Sequence, residues 1–427
     1  MPERSADALP GPEWVGRRRL LVVGASPMRA AAFATWHSMG LEVVLVDGHS
    51  GGRYEDLANE FWALDARDGS ADVARLTEIA RGCDGVTTVA DDSQATVAAI
   101  AEDLGMVGLG REAAAAARSK ARQRALCERA GMPTPRWKEV RQADDVHEFF
   151  FDGPRPAVLK PVDGAGGVAA MRVTTSEEAA RHWPVVRTLS RSRTGVLEDF
   201  IEAPRELCVD AVVAGERPVF VSIAECIHLG TIGFVCTSAA YATHQEERED
   251  GRRLVEQLVS ALGFSDGVVH AEFKVDGDVW TMLETALRPG GAYLAECTVR
   301  ATGVDLYEAQ ARLALGVDPA VPPTRQPVAP YAQTRFLVGE GQVRNFVPPA
   351  KIVAQLPDVK VVNQQLGPGQ LLRVPLSDAG RGGYALGWGS DRESLDAQLR
   401  QAIALLGREM GVAVVEDDGT IRTDIAA

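Results

Sequence analysis

At 427 residues the chain is long enough for about three domains of ordinary size. Its composition, 46% hydrophobic and 24% charged, is that of a globular protein with a sizeable core. The net charge of −14 argues against a nucleic-acid partner held by its phosphates, so any anionic ligand must meet a local cluster of Lys, Arg and backbone N–H groups.

Arg19–Val23 is a short apolar run, followed by the turn GASPM, a helical stretch to Gly40 and the strand LEVVLVDG. That order makes a parallel β-α-β unit. GASPM lacks the GxGxxG spacing, and Asp47 at the end of the second strand is weak support for a dinucleotide. Further units follow: a strand at Glu60–Leu64, a helix at Ala71–Arg81, a strand at Gly85–Val89, a helix at Ser93–Leu104 and a short strand at Met106–Leu109. Residues 17 to about 110 thus read as an open parallel sheet with helices on both faces.

Ala113–Ala130 reads as one helix, closed by Gly131 and stopped by Pro133 and Pro135. A strand at Arg136–Val140, a helix at Ala143–Phe151 and a strand at Ala157–Lys160 come next. The glycine loop DGAGGVAAM leads to a strand at Met171–Val173, a helix at Glu177–Ser190 and a strand at Gly195–Glu198. A helix at Leu306–Leu315 precedes the proline-rich connector VDPAVPPTRQPVAP. Beyond it lie short β runs at Ala332–Val338, Val359–Asn363, Leu371–Val374 and Tyr384–Trp388, an amphipathic helix at Leu395–Leu406 and a frayed tail.

The start of the chain has no apolar core of signal-peptide length, and no apolar run approaches the roughly 18 residues of a membrane helix. The six cysteines form no CxxC pair, and Cys226, His228 and Cys236 match no zinc spacing. A cytoplasmic protein with reduced thiols, away from nucleic acid and membrane, is the expectation.

Chemistry concentrates in four places. In AVLKPVDGAGG, Lys160 ends an apolar strand just before glycines 164, 166 and 167, so backbone N–H groups and a point charge are available to a polyphosphate. It is not a Walker A motif, because the Lys precedes the glycines. Lys120 lies on a basic helical face, RSKARQR, of a kind that is ordinarily solvated. VLEDFIE, with Glu206 eight residues past Glu198, suits a hinge whose backbone reads an adenine edge and a carboxylate that accepts from a ribose.

The fourth place is VVHAEFKVDGDVWTMLETALRPGG, which reads as a hairpin around Asp276-Gly277-Asp278. A three-residue loop sets Val275 opposite Val279 and Glu272 opposite Met282, leaving Glu284 as a diagonal neighbour of Glu272 at roughly 7–8 Å. Two carboxylates at that spacing suit a hard divalent cation that also holds phosphate oxygens. Arg288 follows Glu284 by four residues, where it can clamp a phosphate or carboxylate bidentately.

Read together, SKARQRALCERAGMPTP, AVLKPVDGAGG, VLEDFIEAPRE, HAEF and LETALRPGG resemble, in that order, the ATP-grasp superfamily of carboxylate–amine ligases. DDSQATVAAIAEDLGMVGLG resembles the substrate-side domain that precedes the grasp, and RGGYALGWGSDRESLDAQL resembles the closing segment of biotin-carboxylase-like members. The resemblance implies a mixed α/β and α+β chain with the ATP-grasp fold. Its parts would be an N-terminal open parallel α/β domain (1–112), a small α+β lid lobe (113–195), a large antiparallel-sheet ATP-binding lobe (196–317) and a β-rich C-terminal segment (318–427).

Roles follow by position. Lys120 and Lys160 would hold ATP phosphates, with Gly164, Gly166, Gly167 and Val168 folding over them. Glu198, Asp199, Phe200 and Ile201 would form the adenine hinge, and Glu206 would meet the ribose. Glu272 and Glu284 would ligate Mg2+, with Mn2+ as a substitute, and Arg288 would stabilise the acyl phosphate. Small-molecule carboxylate and amine substrates are implied, and a homodimer by analogy. The chain departs from the common Glu-x-Asn-x-Arg at Ala286, which has no oxygen to give a metal; some amino-acid ligases resemble this variant. A carboxylase-type or nucleotide-pathway ligase is the alternative, although no biotin-accepting MKM motif occurs. The segment Cys226–Glu249 and the glycine loop are the expected closing elements.

Overall fold

The structure, a computed structural model, describes residues 18–25, 29–48, 55–230, 234–242, 245–321, 326–375 and 377–422. Residues 26–28 of the GASPM turn, 322–325 of the proline-rich connector and the tail from 423 lie outside them.

The N-terminal sheet is parallel, in the order Glu60–Ala63, Glu42–Asp47, Arg19–Val23, Gly85–Thr87. Its strands are near-continuous apolar runs because both faces are covered. Leu21, Val23, Val44 and Val46 feed one core, with Val97 and Ile100 of the helix Gln94–Leu104. Leu20, Val22, Val43 and Leu45 feed another, with Phe33 and Trp36 of the helix Ala30–Ser38 and with Leu306 and Tyr307 of the distant helix Leu306–Ala314. Trp36 Nε1 donates to the Tyr307 carbonyl at 2.9 Å, so the two ends of this core are joined by a buried hydrogen bond. Met106–Leu109 is not a strand and joins none of the described sheets.

The run Ala113–Ala130 is two helices, Arg111–Ala117 and Lys120–Ala130. Ser119 breaks it: its backbone is extended, its side chain caps the second helix by accepting from the Arg122 N–H, and the Lys120 N–H is spent on the Val162 carbonyl at 2.9 Å. Lys120 therefore stands at the first position of a helix rather than in mid-helix.

A small antiparallel sheet follows, ordered Trp137–Val140, Gly195–Asp199, Ala157–Pro161, Met171–Val173. Asp144–Phe149 and Ser176–Leu189 cover one face of it through Val146, Phe149, Trp183 and Val186.

The largest sheet has eight strands, in the order Val279–Ala286, Gly267–Asp276, Arg205–Ala214, Arg217–His228, Cys236–Ala242, Tyr331–Leu337, Gly383–Gly389, Val359–Gln364. It runs through residue 318, since its last three strands lie beyond the proline-rich connector. Most of Cys226–Glu249 is regular structure rather than loop: strand to His228, strand again from Cys236 to Ala242, then a helix over Gln245–Leu262. Ala413–Val415 and Ile421–Arg422 pair in a small separate sheet, so the described part of the tail is not frayed.

The hairpin differs from the expected register. Its turn has two residues, Gly277 and Asp278, with Gly277 at φ +55°, and Asp276 pairs with Val279. That choice matches apolar to apolar, pairing Val275 with Trp280 and Phe273 with Met282, all four buried in one core. The three-residue loop would have set Val275 against Val279, which is 55% exposed. A bulge between Glu272 and Phe273 then takes up Leu283, and beyond it Glu272 faces Glu284 directly and His270 faces Ala286.

Candidate active site

The small sheet, the N-terminus of the helix Lys120–Ala130 and the exposed face of the large sheet border a cleft that opens to solvent. Lys120, Lys160, Gly164, Gly167, Val168, Glu198, Asp199, Phe200, Ile201, Glu206, Glu272 and Glu284 all line it. These residues come from four separate stretches of sequence, and tertiary packing alone brings them together. Gly166 sits in the same loop, while Arg288 is not among the cleft-lining residues.

The glycine loop folds inward. Gly166 and Gly167 have φ of +59° and +71°, a backbone that side chains other than Gly rarely adopt, and a Cβ on Gly167 would lie 2.7 Å from the Phe234 carbonyl oxygen. Asp378 N–H donates to the Gly166 carbonyl at 3.1 Å, and the Lys120 ammonium donates to the Gly164 carbonyl at 2.5 Å. Both ends of the loop are thus tied to elements outside the small sheet.

Two charge networks line the cleft. In one, the fully buried Arg124 donates to Glu198 Oε2 at 2.8 and 3.0 Å, while Lys160 pairs with Glu198 Oε1. Burial alone would raise the Glu198 carboxyl, but Arg124 and Lys160 hold it below the ordinary carboxylate range. The Glu198 side chain is therefore a counter-ion for the two cations. In the segment beyond it the Asp199 and Phe200 N–H groups are spent on the Arg136 and Pro156 carbonyls, whereas Ile201 N–H donates to no described residue. In the second network Lys274 pairs with Glu206 at 3.0 Å and His228 Nε2 lies 3.5 Å from the other Glu206 oxygen.

Glu272 and Glu284 face the cleft as cross-strand partners, their side chains 34% and 29% exposed. Lys120 Nζ lies 2.8 Å from Glu284 Oε1, and His270 Nε2 lies 3.3 Å from Glu272 Oε1. The second oxygen of each carboxylate accepts from no described side chain. This all-oxygen donor set, partly open to the cleft, fits a hard divalent ion such as Mg2+. Cys208 also brings its sulfur within 4.8 Å of His270 and Glu272 ligand atoms. Its thiol is pushed up to about 12, the shared hydrogen bond with Cys226 offsetting part of the burial, so it is protonated at neutral pH and offers a poor ligand.

His270 is buried between Asp210, 3.1 Å from Nδ1, and Glu272. Burial would lower its pKa, but Asp210 and Glu272 raise it to about 9, making it an imidazolium at neutral pH. Gly290 N–H donates to the same Asp210 oxygen at 2.8 Å, so this pair also anchors the Pro289-Gly290-Gly291 turn. Because Ala286 is the cross-strand partner of His270, the departure from the common motif places a small side chain on the face that the imidazole occupies.

Arg288 is turned onto the N-terminal domain. Its Nε and one terminal nitrogen meet Asp91 Oδ1 at 2.7 and 2.5 Å, and its other terminal nitrogen donates to the Pro289 carbonyl at 2.8 Å. Arg29, also buried, donates to that same carbonyl at 2.7 Å. Burial would raise the Asp91 carboxyl, yet the two guanidinium groups hold it down at about 2. Leu287 N–H donates to Gln94 Oε1 at 2.8 Å, a second tie from the N-terminal domain to this strand end.

Sequence reasoning missed Arg124, Asp210, Lys274, His228, Asp91 and Arg29. Lys274 was readable, two residues from Glu272 on a strand and so on the same face. Arg124 lies one helical turn past Lys120. Asp91 and Arg29 carry no local signal.

Comparison with known proteins agrees with this architecture. Residues 117–275 match the family model described as an ATP-grasp domain. Mouse (Mus musculus) carnosine synthase 1 is 25% identical over 335 residues, covering 71% of this chain and 40% of that protein. The solved L-amino acid ligase from Bacillus licheniformis superposes with a TM-score of 0.74 at 21% identity, covering 90% of this chain and 97% of that one. The biotin carboxylase domain of the Hydrogenobacter thermophilus 2-oxoglutarate carboxylase gives 0.69 at 17% identity, covering 92% and 94%. The chain spans 66%, 20% and 40% of the length of three curated relatives it matches. It carries an ATP-grasp domain and has the ATP-grasp fold, as the order of its motifs implied. Among the described residues no helix is long and apolar enough to cross a membrane.

Proposed function

We propose that this chain is an ATP-dependent carbon–nitrogen ligase that joins a small carboxylate, an amino acid in the leading reading, to an amine through an acyl phosphate. The observation that carries the reading is the cleft itself. Two lysines, a glycine loop and two facing carboxylates converge there from separate segments, with Arg288 two residues past the end of the strand that carries Glu284.

In the first half-reaction a carboxylate oxygen attacks the γ-phosphorus of ATP, the bond to the β-phosphate oxygen breaks, and ADP leaves. In the second, the amine nitrogen attacks the acyl carbon, the bond to the phosphate oxygen breaks, and phosphate and a proton depart. Phosphoryl transfer needs positioning and charge compensation more than covalent help. Lys120 and Lys160 supply fixed positive charge, and Glu198 with Arg124 holds the Lys160 ammonium in place. Mg2+ or Mn2+ held by Glu272 and Glu284 would neutralise phosphate oxygens. The glycine loop, already clasped by Phe234 and Asp378, keeps water from an acyl phosphate that would otherwise hydrolyse. The Ile201 N–H, which donates to no described residue, would meet an adenine edge, and Glu206, which lines the cleft, would accept from a ribose hydroxyl. Arg288 and Arg29 form the cationic corner that would meet the substrate carboxylate and the transferring phosphoryl group.

A phosphate-release screen of amino-acid pairs, with mass spectrometry of the products, tests this reading. ATP-dependent ADP formation coupled to a new amide supports it; no ADP with any pair removes it. The similarity to biotin carboxylase structures supports a second reading, in which bicarbonate is the activated carboxylate. Stimulation of ADP release by bicarbonate alone would favour that one.

A further inference from the structure

The corner around Arg288 gathers two buried guanidinium groups. Arg29 and Arg288 converge on the Pro289 carbonyl, with Asp91 bonded to Arg288 and within electrostatic reach of Arg29. After Gly290 the chain makes a strained turn. Ala292 and Tyr293 have φ of +54° and +62°, two successive non-glycine residues in the left-handed region. Such strain persists where surrounding contacts impose it, commonly at functional sites. The contacts are visible: Gly290 N–H is held by Asp210, a Cβ there would lie 2.8 Å from both Asp210 Oδ2 and His270 Nδ1, and Leu294 N–H donates to the Gly291 carbonyl at 2.9 Å.

The turn opens the helix Leu294–Thr302 and sets Glu296 in its first turn, within electrostatic reach of Arg29. Glu296 is half-buried. Its Oε2 is sealed from solvent and accepts from no described group. A buried carboxylate oxygen without a donor is costly, and the nearby cations are committed elsewhere, Arg29 to the Pro289 carbonyl among them. A plain carboxylate arriving at the arginines would place a second anion beside this one. A substrate that also carries an ammonium group brings its own counter-charge and a charged donor for Glu296.

We propose that Glu296 is a specificity residue that receives the ammonium group of the substrate whose carboxylate meets Arg29 and Arg288, so that the activated substrate is an amino acid and not a simple carboxylic acid. The inference rests on the ligase reading above and deepens it. Hydroxylamine, used as the amine, frees the test from the unknown acceptor, because it intercepts any acyl phosphate as a hydroxamate. The full chain with MgATP and hydroxylamine is given each common amino acid and, in parallel, its des-amino counterpart, such as alanine against propionate. For the best amino acid, kcat/KM for ADP and hydroxamate formation should exceed that of the des-amino acid by about 10- to 100-fold. In Glu296→Gln the preference should collapse toward unity, mainly through a higher KM for the amino acid. Glu296→Asp should recover part of it, which a merely structural role would not predict. Equal use of both partners by the natural chain, or an unchanged preference in Glu296→Gln, overturns the inference while leaving a working ligase. No ADP with any carboxylate overturns the ligase reading and this inference together.

Discussion

Replacing Glu296 by Gln should make the ligand-free protein more stable, and only above a defined pH. Burial pushes this carboxyl up to about 7, and its own backbone N–H and Arg29 offset only part of the effect. The unfolded chain, with the carboxyl at its ordinary value of 4.5, has already released the proton at pH values where the folded chain still holds it. Folding stability therefore declines as pH rises from 4.5 toward 7, and the penalty is complete above 7. Holding a carboxyl at about 7 instead of 4.5 corresponds to about 3 kcal/mol once it is ionised. Gln is a neutral isostere of the protonated form and removes that penalty. Urea unfolding of the natural chain and Glu296→Gln, without ligands, at pH 4.5 and pH 8 measures the difference. The variant should match the natural chain at the lower pH and exceed it by about 1–3 kcal/mol at the higher, since residual hydration of the half-buried side chain absorbs part of the ceiling. A variant that is less stable at pH 8, or shifted equally at both, would show that Glu296 has a partner in the folded protein and would refute the reasoning.

Other substitutions probe the cleft. Glu284→Gln should lower turnover by about 100-fold or more with the circular dichroism spectrum unchanged, through loss of a metal ligand and of the Lys120 partner; near-normal turnover would mean that the carboxylate has no such role. Gly167→Ala must hold φ near +71° and place a Cβ 2.7 Å from the Phe234 carbonyl oxygen, so the loop should no longer seat. The KM for ATP should rise by about tenfold, with protease sensitivity between residues 163 and 170 increasing alongside. Arg124→Met leaves the buried Glu198 with Lys160 as its remaining ion-pair partner and should cost about 3–5 kcal/mol in urea unfolding; a loss below about 0.5 kcal/mol would mean that Lys160 and solvent suffice.

The parts of the fold that could be read from sequence were those with local signals. Apolar runs such as RLLVV and EVVLVD gave the parallel strands because both faces of that sheet are buried. Lys160 and its glycines could be read as one group because they are contiguous in sequence, and they line one cleft. The split at Ser119 was hidden inside a composition that favours helix throughout, and only the tie from Lys120 N–H to Val162 explains it. RSKARQR looked like a solvated face, yet Arg124 is fully buried, because a carboxylate 74 residues away compensates its charge. The facing of Glu272 and Glu284 depended on a bulge that one strand pattern cannot announce. Asp91 is tied to Arg288 across 197 residues, and Arg29 reaches Pro289 across 260, so no window of sequence contains either contact.

The central claim is an acyl phosphate formed between ATP and the substrate carboxylate in the cleft of Lys120, Lys160, Glu272 and Glu284. Oxygen-18 transfer tests it most directly. With a carboxylate substrate labelled in both oxygens and any amine that supports turnover, one labelled oxygen should appear in the released phosphate for each amide formed, as mass spectrometry would detect. Phosphate free of label, released in step with amide, would mean that the carboxylate never attacked phosphorus, and would contradict the account.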